Sequence, residues 1–289
     1  MVDKKYFSDY QSEGHNWITL STGDFYPDML QDAKLLYAPV LVMFGQLLQS
    51  AETSQRLLLM IADVPNQWMR IQLARVFRKY VSPSLSVEIL KKKSQAQAIC
   101  DQFGDTFRPI VDVQTAFMSR PMPDEALCAL LWEYKSRGQK GYDLTERFFE
   151  LFSTLFPHLT IIGPKRAGQD IRAGTIFDDY PNPKRPLDFA IYEGDKLLAV
   201  GLVRYDGDRG GAQEDDRIGG YRDCADELLG YAQSKGINFK LVFVNDGPGL
   251  LLGSMWADYS AIETRWMDKI MVATLRMLPT RLSEMWLKS

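Results

Sequence analysis

The stretch Leu187–Tyr205, LDFAIYEGDKLLAVGLVRY, decides the fold. Two apolar, partly β-branched runs flank Glu193-Gly194-Asp195, and Gly-Asp between such runs is the signature of a β-hairpin. On the C-terminal side, Tyr221 to Ser234 repeats Ala225, Leu228, Leu229 and Ala232 at helical steps. KLVFVNDG, residues 240–247, then reads as a buried strand ending in a turn. A last helix is expected from Ala261 to about Leu278, burying Ile262, Trp266, Ile270, Val272, Ala273 and Met277. On the N-terminal side, Leu159 and Ile161 mark a short strand ahead of PKRAGQDIRAGTIFDDYPNPKRP, residues 164–186. A polar, proline-rich loop of that length is usually functional or mobile. Helix, strand, hairpin, helix, strand, helix is an α/β order with a central mixed sheet.

Further upstream the period is helical. Met29, Leu30, Ala33, Leu36, Val40, Met43, Leu47 and Leu48 recur at three- and four-residue steps, as do Leu57, Met60, Ile61, Met69, Leu73 and Phe77. Pro27, Pro39 and Pro65 punctuate these helices. Phe107 to Pro123 has little periodicity, which places a boundary there between a helical N-terminal region, 1–120, and an α/β domain, 121–289. Two helices open the second part, Asp124 to about Arg137 and Tyr142 to Phe156, with SRGQKG between them as a break.

Composition narrows the chemistry. In 289 residues there are 34 basic and 37 acidic side chains and only two histidines, His15 and His158, so histidine-rich metal centres and a Ser-His-Asp triad are disfavoured. The odd set Cys100, Cys128 and Cys224 supports neither a disulfide framework nor a zinc site. No apolar run reaches the roughly 18 residues of a membrane span and the first residues lack a signal-peptide core, so a soluble, cytoplasmic protein without a membrane partner is expected. Phosphate-loop, dinucleotide, zincin and nucleophile-elbow motifs are missing from the sequence.

The near-balance of charge hides two local excesses. Arg70, Arg75, Arg78, Lys79 and Lys91 to Lys93 face only Glu88, which reads as a solvated helix face or as a phosphate-contacting surface. Arg204 to Asp223, RYDGDRGGAQEDDRIGGYRD, packs six carboxylates, four arginines and five glycines into one glycine-rich loop. Carboxylates so close repel one another unless cations offset them, and hard divalent ions take oxygen ligands. Asp188 stands at the start of the hairpin after the basic Lys184-Arg185 approach, where it can meet groups on the next strand.

In this order the sequence resembles the PD-(D/E)xK nucleases, and among them the Type II restriction endonucleases that cut GATC. The matching positions are Gly141 and Glu146 on a helix, Asp188 at the hairpin, Tyr205 closing its second strand, Glu214 and Arg217 in the loop, and Asp246-Gly247-Pro248-Gly249. Residues 138 to 255 carry the resemblance. Where the second carboxylate and the lysine of that family belong, this strand reads Gly201-Leu202-Val203.

The resemblance implies a restriction-endonuclease-like core and Mg²⁺-dependent hydrolysis of phosphodiesters at a specific double-stranded DNA sequence, by a homodimer. It makes Asp188 a metal ligand and Glu146 an outer or bridging one. Asp206, Glu214 and Asp216 become candidates for the missing acid, with Arg204 or Gln213 standing in for the lysine. Arg204, Arg209, Gln213, Arg217, Lys184 and Arg185 become DNA contacts. The N-terminal region would dimerise or clamp DNA. Two rivals stay open: a nuclease-fold DNA-binding protein that has lost catalysis, and a helical protein-interaction module.

Overall fold

A computed structural model describes residues 5–164, 171–207 and 212–289, without the side chains of 136–140, 142 and 212–217. The chain forms two compact units: Gly23–Arg137, and the residues up to Thr22 together with Gly138–Ser289. The division therefore falls at 22/23 and 137/138 and not at 120/121. The reason is packing: Phe7 stacks on Trp256 at 4.4 Å, and Thr19 N–H donates to Asp246 at 2.6 Å, so the start of the chain belongs to the α/β core.

The helical unit is built from α1 (Leu30–Ser50), α2 (Ser54–Asp63), α3 (Gln67–Tyr80), α4 (Ala96–Phe103) and α5 (Ile110–Met118). Its core includes Tyr37, Phe44, Leu57, Ile61, Leu73 and Phe77. Pro39 does not end a helix; it lies inside α1 on the exposed face. α5 fills the interval expected to be irregular, because one i, i+4 pair, Val113 and Phe117, is enough to bury it. Phe117 packs against Phe44 and Tyr80 at 5.3 and 5.4 Å.

α6 (Glu125–Leu155) is a single helix through the expected break. It gives Leu127, Cys128 and Leu131 to the helical core and Leu144, Phe148, Phe149 and Phe152 to the other. A helical glycine costs about 1 kcal/mol relative to alanine, which burial at both ends outweighs.

The α/β unit holds β1 (Thr160–Ile162), β2 (Ile171–Arg172), β3 (Pro186–Leu187), β4 (Phe189–Glu193), β5 (Lys196–Tyr205), β6 (Lys240–Asp246) and β7 (Ile270–Ala273). The main sheet runs β1-β4-β5-β6-β7, with β2-β3 a separate ribbon. β1, β4 and β5 are antiparallel, and β5, β6 and β7 are parallel. Gly194, at φ 56°, makes the expected hairpin turn.

β6 is buried at every residue, as a central parallel strand must be. The crossovers are α7 (Ala212–Lys235) and α8 (Met255–Arg265). β7 replaces the C-terminal half of the helix expected at 261–278. A four-residue apolar run suits a buried strand as well as a helix, and only its pairing with β6 separates the two. Phe148 of α6 packs on Phe189 at 4.8 Å, and Tyr221 of α7 packs on Phe243 at 4.8 Å from the opposite face, so helices cover both sides of the sheet.

The described part of the 164–186 loop is docked on α7. Phe177 and Tyr180 pack with Tyr231, and Phe177 also with Phe239. Asp179 takes hydrogen bonds from Tyr231 and Lys235, and Arg185 forks onto Glu227. No helix among the described residues is long and apolar enough to cross a membrane.

Candidate functional site

The ends of β5 and β6 and the start of β4 share one edge of the sheet. The β4–β5 ladder closes at Phe189 and Gly201, and Asp188 N–H donates to the Gly201 carbonyl at 2.9 Å. Beyond that pair the strands part. The Val203 N–H, left without a ladder partner on β4, donates to Asp188 Oδ2 at 2.7 Å. Asp188 is half-buried, its carboxylate fixed in position by backbone on the neighbouring strand.

Next along β5, Arg204 Nε lies 3.5 Å from Asp206 Oδ1. The two differ sharply in access: the Arg204 side chain is 37% exposed and that of Asp206 is 1%. Asp206 Oδ2 lies 3.5 Å from the Tyr259 hydroxyl, its N–H donates to the Asp246 carbonyl and its own carbonyl accepts from Gly249 N–H. Asp206 therefore acts first as an anchor for the strand ends. The Asp246-Gly247-Pro248-Gly249 turn makes this possible, because a Cβ at Gly247, where φ is 109°, would overlap the Asp206 carbonyl.

Asp246 is wholly buried, and its carboxylate accepts N–H groups from Thr19, Gly247 and Leu275 at 2.6, 2.7 and 3.0 Å. Burial pushes its pKa up, against the pull of those three donors. Its role is to tie three segments together beneath the edge.

Three residues without any motif signal complete the surroundings. Asn245 stands in register with Arg204, wholly buried, with both amide atoms unpartnered. Tyr221 packs edge-on to Tyr259 at 5.5 Å. Burial, then Tyr259, hold its phenol well above the usual range, and Arg204 opposes that shift. Tyr221 is therefore a neutral hydroxyl beside a charged edge.

At Gly201 a Cβ would overlap the Val242 carbonyl and the Phe189 ring. No side chain fits there unless β6 moves, so position 201 is closed to a carboxylate. Val203 contributes a backbone donor to Asp188 and no ligand.

The expected loop is partly helix, since α7 begins at Ala212 and takes in Gln213, Glu214, Asp216 and Arg217. Their side chains, and Arg209 altogether, lie outside the described residues. Glu146 is half-buried on α6. Lys184 is exposed, whereas Arg185 is engaged by Glu227. Among the described residues no three acidic, histidine or cysteine side chains are grouped to hold a metal.

The basic stretch of the helical unit is largely satisfied within itself. Arg70 donates to the Val64 carbonyl at 2.6 Å, and Arg75 donates to Gln72 at 2.8 Å and lies 4.9 Å over the Tyr134 ring. Lys91 pairs with Glu88 and Lys93 with Asp63.

The edge thus combines a fixed carboxylate, a part-exposed guanidinium and a buried amide, where parallel strands give way to an antiparallel neighbour. β5 and β6 end at this edge, and open α/β sheets bind ligands outside the carboxyl ends of their parallel strands. No protein-family model matches the chain, and no curated protein is detectably similar to it.

Proposed function

We propose that the protein is a Type II restriction endonuclease that hydrolyses phosphodiesters in a specific double-stranded DNA sequence with Mg²⁺, acting as a homodimer. The observation that carries this reading is Asp188, held at the parting of β4 and β5 on a sheet that is antiparallel on one side of β5 and parallel on the other. An acid so placed on a mixed sheet supports the reading of a restriction-endonuclease-like core with a hairpin acid.

The donor set suits a hard cation only in part. Asp188 supplies one carboxylate, Gly201 supplies none, and Asp206 is enclosed, so Glu214 or Asp216 at the start of α7 is the second ligand, with Glu146 further out. Mg²⁺ held by these carboxylates would supply charge stabilisation at the scissile phosphate and make a water more acidic. The Val203 N–H orients Asp188. Arg204 holds a phosphate oxygen but cannot act as a base at neutral pH. Arg209, Arg217, Gln213 and Lys184 contact the duplex, where arginine can read guanine O6 and N7 together.

Closure of position 201 favours a second reading, a DNA-binding protein on the same fold that does not cut. Incubation with unmethylated genomic DNA and Mg²⁺ separates the two. Discrete fragments, lost in Asp188→Asn, support the endonuclease; a mobility shift without cutting supports the second reading; neither result overturns both.

A further inference from the structure

Asn245 lies wholly buried on the central strand β6, and neither its Oδ1 nor its Nδ2 has a hydrogen-bond partner among the described residues. An amide enclosed in that state costs free energy that native folds seldom leave uncompensated. Packing does not account for it, since leucine has the same branched outline and no polar atoms to satisfy.

The strand register gives the amide its neighbour. Phe243, two residues earlier, packs on Tyr221 of α7 at 4.8 Å, so Asn245 projects to that same face of the sheet. Arg204 is its register partner on parallel β5, and register partners share a face. The Arg204 charge acts on the Tyr221 phenol, which places the guanidinium on that side too. That guanidinium is loosely held: Nε lies 3.5 Å from Asp206 Oδ1, beyond the roughly 2.7–3.2 Å of an N–H···O hydrogen bond, and the side chain is 37% exposed.

We infer that Asn245 is the positioning residue of a phosphate subsite: its Oδ1 accepts an N–H of Arg204 when the outer side of the guanidinium takes a phosphate oxygen. This rests on the reading of Arg204 as a phosphate contact and adds what aims it. A guanidinium pinned on its inner side presents its other N–H groups as a fixed fork, so less side-chain freedom is lost on binding. The acceptor has to be neutral. A carboxylate at 245 would compete with the phosphate for the cation, whereas an amide oxygen takes an N–H and leaves the charge to the ligand.

Nuclear magnetic resonance on the full chain, titrated with inorganic phosphate at constant ionic strength, tests this. The side-chain NH₂ signals of Asn245, assigned by their loss in Asn245→Leu, and the Arg204 Nε–H signal are expected to shift together and saturate. In Arg204→Gln the Asn245 shift should vanish. Asn245→Leu should weaken phosphate binding about 10-fold with a urea midpoint no lower than wild type, the reverse of what a merely structural amide predicts. Asn245 signals that ignore phosphate, that move equally in Arg204→Gln, or a phosphate affinity unchanged in Asn245→Leu overturn the inference. A protein that passes yet neither binds nor cuts duplex DNA keeps the subsite and loses the nuclease reading; one that cuts DNA with a silent Asn245 amide keeps only the nuclease reading.

Discussion

Asp188 Oδ2 accepts the Val203 N–H at 2.7 Å, so the carboxylate expected to carry the chemistry also completes the sheet. Removing it has two separable consequences. Asp188→Ala leaves that N–H without a partner and should lower unfolding free energy by about 1–3 kcal/mol. Asp188→Asn keeps an acceptor and should melt near the wild type, yet lose cleavage at least about 100-fold while retaining DNA binding. Paired denaturation and cleavage assays check both, and an Asn variant that cuts normally removes Asp188 from the mechanism.

Gly201 is fixed by sterics. Gly201→Ala should destabilise the protein by about 1–3 kcal/mol, as overpacking does, because the Val242 carbonyl is backbone and cannot rotate away. Gly201→Glu should fold worse still and gain no divalent-ion affinity, read from urea midpoints and Mg²⁺ titration calorimetry.

Lys184 and Arg185 are neighbours with different expectations. Arg185 forks onto Glu227 and fastens the 171–187 segment to α7. Arg185→Ala should cost about 1 kcal/mol of stability and leave the salt dependence of DNA binding unchanged. Lys184→Ala should be neutral for stability and, as a phosphate contact, reduce the salt slope by about one.

Glu263 and Arg281 are buried together, 2.7 Å apart. Glu263 also accepts the N–H groups of Phe7 and Val272, joining the chain's start to β7. Glu263→Ala should destabilise by about 3–5 kcal/mol, since it strands a buried guanidinium. Thermal unfolding measures this, and a shift within error removes the pair from the core's support.

Asp124 gives a pH prediction. Its hydrogen bond from Arg120 holds its carboxyl below the ordinary value of 3.8, with help from the Leu127 N–H at the start of α6. A depressed acid stabilises the fold above its unfolded pKa, and that contribution disappears as pH falls through the folded value. Asp124→Asn, which keeps the capping oxygen, should be less stable than wild type at pH 7, with the gap closing below about pH 4. Denaturation at pH 7 and pH 3 reads the two gaps, and equal gaps overturn the assignment.

The hairpin and β6 are legible because their alternation, turn and wholly apolar run are local patterns. Asp188 is legible as a position but its geometry is not, since the Val203 N–H reaches it only after the strands part. Asn245, Tyr221 and the enclosure of Asp206 have no local signal. Burial of a polar group depends on what arrives from elsewhere: Tyr259 from α8, Thr19 from the chain's start.

By itself the sequence determined a helical region followed by an α/β unit, and a charged segment directly after a buried strand, because hydrophobic period and composition act over a few neighbouring residues. Only the tertiary structure decided that α6 runs unbroken, that 270–273 is a strand, that the first residues join the α/β core, and that position 201 has no room for a side chain. Each is settled by long-range packing, where the burial gained between distant segments exceeds the one kcal/mol or so of local preference opposing it.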